Sequence, residues 1–161
     1  MRIGVLALQG DFDNHEIILR RLGVETIEVR LPAHLGGLDG LIIPGGESTT
    51  IGKLASDYDL IEPMREFGGR KAIWGTCAGA ILLSKDIHRN QPLLGLMDIT
   101  VERNAFGRQV DSFVIDLDVP CLQEVADGGG PFHALFIRAP LIESVQGDVK
   151  VLAGLPDGRI V

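Results

Sequence analysis

The chain has 161 residues, a length that suits one domain able to bury most of its apolar surface. Hydrophobic residues make up 45 % and charged residues 23 %, and the formal net charge of −7 argues against the basic face of a nucleic-acid binder. No membrane-length apolar run or charged-then-apolar leader is visible, and Cys77 and Cys121 are too few for a disulfide framework or zinc site, so a reduced, cytoplasmic protein is expected.

Residues 3–8 are almost continuously apolar, as a strand covered on both faces should be. Asp11 or Asp13 can cap a helix that carries Ile17, Ile18 and Leu22 and ends near Gly23. Residues 25–30 alternate like a strand, and 41–43 form another buried one. Ser48 or Thr49 can cap the helix that follows, and 57–67 show helical spacing with a break at Pro63. A short strand at 71–74 leads to Cys77 and a helix-like run at 78–83. This alternation predicts a mostly parallel sheet with helices on both faces. Beyond residue 95 the pattern turns β-rich, with strands expected at 99–101, 110–117, 132–137 and 149–152. Pro156-Asp-Gly158 reads as a hairpin turn and 159–161 as the start of a partner strand, so the chain is expected to continue past Val161 as one domain.

Glycine accounts for 21 of the 161 residues, about twice its ordinary share, and the glycines gather at turns. The most telling cluster is Gly75-Thr-Cys-Ala-Gly79, between the short strand and the helix-like run. A cysteine between two glycines at such a junction is the thiol form of a nucleophile elbow. The glycines relieve crowding where the backbone turns sharply, and the N–H groups of the following helix stabilise negative charge on sulfur. The alternative is a buried cysteine packed as a small hydrophobe.

Pro44-Gly-Gly-Glu-Ser-Thr-Thr50 follows the strand at 41–43. Its glycines allow backbone N–H groups to converge on an oxyanion or a substrate carboxylate, although a plain strand-to-helix turn has the same composition. It is not a P-loop, for no Gly-Lys-Ser/Thr follows. Arg103, Arg108 and Arg138 are candidates to pair with a carboxylate, each equally readable as an exposed loop residue. A cysteine nucleophile needs a base. His15 is expected on the exposed side of the first helix, His34 in a loop, and His88 in solvent beside Asp86. His133 adjoins a strand, with no acidic residue two positions away to orient it. None is singled out, and Cys121, in a loop-like stretch, reads as incidental.

Together Leu8-Gln9-Gly10, residues 44–50, residues 75–79, Val101-Glu-Arg-Asn-Ala-Phe-Gly-Arg-Gln109 with Asp111-Ser-Phe113, and Phe136-Ile-Arg-Ala-Pro140 carry a resemblance. The chain resembles the glutaminase subunits of pyridoxal 5′-phosphate synthases, among the class I (triad) glutamine amidotransferases. The resemblance implies a flavodoxin-like three-layer α/β/α fold, with a mostly parallel central sheet and extra strands in the second half. It implies Cys77 as nucleophile, Gly46 and Ala78 as oxyanion donors, and glutamine contacts at Gly46, Glu47, Ser48, Arg103, Ile137 and Arg138. Gln9 and Gly10 would lie near a partner interface. That partner would be a (β/α)₈-barrel synthase subunit receiving ammonia from L-glutamine, with pyridoxal phosphate as a product, so neither cofactor nor metal is implied.

The family completes its triad with a His-Pro-Glu string that residues 1–161 do not contain, so the resemblance implies a chain lacking its C-terminal segment. Without base and orienting acid, turnover by residues 1–161 alone would fall by orders of magnitude. Two other readings stand beside this one: a synthase-binding module without turnover, and a cysteine-elbow hydrolase of other specificity on the same fold.

Overall fold

The computed structural model describes residues 1–103, 112–123, 130–137 and 139–161. The chain divides into two compact units, Met1–Met97 and Asp98–Val161.

In the first unit, strand β1 (Arg2–Leu6) leads through helix α1 (Phe12–Arg21) to β2 (Glu25–Val29). A short 3-10 turn (Pro32–Leu35) precedes β3 (Gly40–Ile43), and helices α2 (Ser48–Asp57) and α3 (Ile61–Gly68) lead to β4 (Ala72–Gly75). Helix α4 (Ala78–Leu83) follows at once, then the three-residue strand β5 (Ser84–Asp86). Strands β2, β1, β3 and β4 lie in that order in one parallel sheet. The apolar strands β1 and β3 are central, which is why their residues are buried almost without alternation. Leu6, Leu41 and Ile43 join Ile51, Met64 and Leu82 of the helices in one cluster. Val5 and Ile42 point to the other face by the two-residue period and are buried as well. Pairing Ile43 with Gly75 brings the carboxyl ends of β3 and β4 to one edge, where open parallel sheets place their sites.

Three local features depend on the tertiary structure. Helix α1 turns Ile17, Ile18 and Leu22 outward, Leu22 being 72 % exposed, while Glu16 is 3 % exposed and its carboxylate accepts a hydrogen bond from Arg20 at 2.8 Å. Asp11 is the N-cap residue of α1, but its carboxylate accepts from Asn14 Nδ2 at 2.7 and 2.9 Å instead of bonding the helix N–H groups. Pro63 breaks nothing: it lies in the first turn of α3, where N–H groups have no acceptor within the helix. The break falls earlier, at Asp59, whose φ of 55° separates α2 from α3.

The second unit contains β6 (Met97–Glu102, which begins at the boundary), β7 (Phe113–Leu117), the one-turn helix α5 (Pro120–Gln123), β8 (Phe132–Phe136) and β9 (Leu141–Val145). Strands β7 and β8 pair antiparallel, with the rings of Phe113 and Phe136 stacked at 4.8 Å over Leu117, Val119, Ala134 and Leu155. Strands β6 and β9 also pair antiparallel, with an irregularity between Thr100 and Val101. Residues 149–152 are not a strand. Gly147, at φ 60°, turns the chain just before them, and the nearest pairing is the bridge from Gly154 to Ile160 across the turn at 156–158. Cys121 is exposed on α5 rather than in a loop. Among the described residues no helix is long and apolar enough to cross a membrane.

Candidate active site

Cys77 is the N-cap of α4, at φ 52° and ψ −104°. That combination lies outside the left-handed helical well, and for a residue with a Cβ it costs about 1–3 kcal/mol, so the surroundings must impose it. They do so through the backbone. Thr76 N–H donates to Ile43 O at 3.0 Å, Thr76 O accepts from Gly79 N–H at 2.9 Å, and Cys77 O accepts from Ile81 N–H at 3.2 Å. A Cβ on Gly79 would lie 2.1 Å from Ile43 O, and one on Gly75 would lie 2.5 Å from the carbonyl carbon of Gly79. Only two glycines let the first turn of α4 lie this flat on the ends of β3 and β4. The cysteine itself is exposed.

The turn after β3 runs alongside. A Cβ on Gly45 would lie 3.5 Å from that of Cys77. On its far side, Gly45 O accepts from Asp11 N–H at 3.0 Å, an approach that requires glycine at position 10, where φ is 102° and a Cβ would meet Gly45 O at 2.0 Å. Gln9 Oε1 accepts from Glu47 N–H at 2.8 Å. The loops after β1, β3 and β4 therefore form one constellation: Gln9 and Gly10, then Gly45 to Glu47, then Cys77 and Ala78.

Glu47, not Ser48 or Thr49, caps α2. Its Oε2 accepts from the Thr50 N–H at 2.7 Å and the Thr50 hydroxyl at 2.9 Å. Desolvation raises its pKa, but the hydrogen bonds from Thr50 and Thr49 outweigh it and bring the carboxyl down to about 2. Glu47 is thus an anion at neutral pH, committed to the helix start. Ser48 is buried, and its hydroxyl has no hydrogen-bond partner among the described residues, an orphaned polar atom in the first turn of α2.

His15 is not on the exposed side of α1. It is half-buried, its ring edge-on to Trp74 with centroids 5.7 Å apart and its Nε2 3.3 Å from the Thr76 hydroxyl. Burial pushes its pKa below the usual 6.5, against the opposing pull of Asp11. His34 Nδ1 lies 3.0 Å from Glu28 O, and the backbone N–H of His88 donates to Asp86 Oδ1 at 2.8 Å. His133 does have an acidic neighbour: Asp116 Oδ1 lies 2.7 Å from its Nδ1, because the two residues are direct partners across β7 and β8. A search two positions along the chain misses a carboxylate supplied by strand pairing.

A family model described as the SNO glutamine amidotransferase family matches residues 5–161. The chain belongs to this glutamine amidotransferase family. A pyridoxal 5′-phosphate synthase subunit PdxT from Herpetosiphon aurantiacus is 58 % identical over 166 residues, covering all of this chain and 85 % of the relative. A protein of the same name from Carboxydothermus hydrogenoformans is 57 % identical over 98 % of this chain and 81 % of its own. A solved structure described as a crystal structure of glutamine amidotransferase superimposes with TM-score 0.86 at 51 % identity, over 98 % of this chain and 82 % of that one. PurLQS from Thermotoga maritima, at 19 % identity and TM-score 0.72 over 94 % and 73 % of the two chains, shares the fold. The parallel four-stranded sheet with its helices is that of a flavodoxin-like glutamine amidotransferase.

The other residues singled out from the family resemblance belong to the second unit. Arg103 follows β6 and is half-buried, and Ile137 is exposed just past β8. Arg138 and Arg108 lie outside the described residues.

Proposed function

We propose that this chain is the glutaminase subunit of a pyridoxal 5′-phosphate synthase, with Cys77 as its nucleophile. The observation that carries the reading is the backbone of Cys77, held at φ 52° at a strand–helix junction beside Gly45. Strain of this kind persists where a reactive side chain must stand clear of its own helix.

In the proposed reaction Cys77 Sγ attacks the side-chain amide carbon of L-glutamine, its proton passing to a general base. The negative charge that develops on the amide oxygen is met by the N–H groups of Gly46 and Ala78. The C–N bond breaks as the nitrogen takes up a proton, ammonia leaves, and a γ-glutamyl thioester remains. Water then adds to the thioester carbon, the C–S bond breaks, and glutamate departs with the thiol restored. Gly46, Glu47, Ser48, Arg103, Ile137 and Arg138 are the proposed glutamine contacts. The orphaned Ser48 hydroxyl supports its place among them, since a substrate group would satisfy it.

Ammonium has no lone pair with which to attack, so the product is useful only if it is passed on shielded from water. We assign the receiving partner as the synthase subunit, a (β/α)₈ barrel that docks near Gln9 and Gly10, in the cytoplasm. Residues 1–161 are taken as a single amidotransferase domain. Glutamate release by the native protein, with and without the synthase subunit, tests the reading. The expected result is release that rises when the subunit is added and is abolished by Cys77→Ala. Synthase binding without any glutamate release would overturn it.

A further inference from the structure

Cys77 is preceded by Thr76, and Thr76 is anchored at three points. Two are main-chain bonds, from its N–H to Ile43 O and from Gly79 N–H to its carbonyl oxygen. The third is its side chain, whose hydroxyl lies 3.3 Å from His15 Nε2. His15 comes from α1, an element otherwise outside the elbow, and its ring also packs at 85° to that of Trp74, two residues before Thr76. The imidazole thus spans two of the last residues before the nucleophile, meeting one side chain ring to ring and the other through a ring nitrogen. A strained conformation is held only as firmly as its neighbours hold it. Main-chain bonds fix the backbone on either side of residue 77, but none of them holds the side chain of Thr76.

We infer that His15 is a positioning residue for the nucleophile: through Thr76 it fixes the elbow that presents Cys77 Sγ. This rests on Cys77 being the nucleophile. It assigns His15 no proton transfer, since the ring nitrogen nearest the elbow is engaged with the Thr76 hydroxyl. Either neutral tautomer makes the bond, because the hydroxyl both donates and accepts.

The test uses the native protein and two electrophiles, a diazoketone analogue of glutamine and iodoacetamide. The first requires Sγ correctly placed beside a bound glutamine side chain; the second requires only an accessible thiol. His15→Ala and Thr76→Val should each slow labelling by the diazoketone about tenfold, the loss of one hydrogen bond's worth of alignment, with iodoacetamide labelling little changed. The double variant should be no slower than His15→Ala, because Thr76→Val removes a contact that His15→Ala has already removed. His15→Gln, whose amide reaches the position of Nε2, should restore the rate. Trp74 is the only tryptophan in the chain, so its emission reports directly whether the ring contact is kept. Wild-type labelling speed in His15→Ala, additive losses in the double variant, or no rescue by His15→Gln with native Trp74 emission would each overturn the inference. Should His15→Ala not fold, His15→Gln compared with Thr76→Val carries the same comparison. A wild-type protein that the diazoketone leaves unlabelled overturns the assignment of Cys77 itself, a different failure from a labelled wild type with an indifferent His15→Ala.

Discussion

The side-chain carbonyl of Gln9 accepts the N–H of Glu47 at 2.8 Å, across 38 residues of sequence. The bond fastens the loop after β1 to the turn after β3, and the turn it fastens contains Gly46, one of the two proposed oxyanion donors. Gln9→Leu removes the acceptor and leaves the N–H of Glu47 to find water or go unpaired. We expect kcat/KM for glutamine to fall about tenfold at saturating synthase subunit, in line with a loss of about 1–2 kcal/mol. Glutamate release kinetics measure it, and an effect that vanishes at saturating synthase would move the role of Gln9 from the turn to docking.

Gly79 has no room for a side chain. A methyl group there meets the backbone oxygen of Ile43 at 2.1 Å, and a main-chain carbonyl within the central strand β3 cannot swing aside. Gly79→Ala should destabilise the protein by about 3 kcal/mol or more, the upper end of overpacking costs. Gly130→Ala, with no atom of the described residues beyond its chain neighbours within 4 Å of the added carbon, should change stability by less than about 0.5 kcal/mol. Urea midpoints of the two variants give the comparison.

The strain at Cys77 predicts a trade between stability and reactivity. Cys77→Gly removes the Cβ that makes φ 52° costly, so the variant should be more stable than the parent by about 1 kcal/mol while losing all glutaminase activity. Thermal unfolding decides it. A variant no more stable than the parent would mean that the observed backbone is unstrained.

Glu47 makes the start of α2 sensitive to acid. Its folded pKa of about 2 is below its ordinary 4.5, so the unfolded chain binds the proton more readily. The stabilisation is therefore complete above pH 4.5 and is lost as pH falls toward 2. Removing the cap in Glu47→Ala should cost about 1 kcal/mol at neutral pH, and the gap from the parent should close on acidification. Unfolding curves at a series of pH values follow the gap; one that stays constant down to pH 2 contradicts the assignment of Glu47 as the cap.

Much of the elbow is legible in the sequence alone. Gly75, Cys77 and Gly79 imply a sharp turn because only glycine tolerates backbone contacts of 2–3 Å, and the apolar runs at 3–8 and 41–43 imply strands covered on both faces. The outward turn of Ile17, Ile18 and Leu22 was not legible. Period alone shows that a helix has an apolar stripe, whereas its rotation on the sheet depends on what the neighbouring strands present. The cap of α2 lies one or two residues before Ser48 and Thr49 because Ser, Thr and Glu can each bond the first turn, and the choice turns on where the preceding glycines aim the chain.

Local chemistry along the chain therefore determined the nucleophile candidate, the glycine-built turns and the alternation of strand and helix, since each depends on residues within a few positions of one another. Only the tertiary structure decided that His15 meets Thr76, that Asp116 meets His133, and that Gln9 holds Glu47. Those partners are 61, 17 and 38 residues apart. Strand order, register and helix rotation bring such groups within 3 Å or so, and these are set by the packing of the core as a whole.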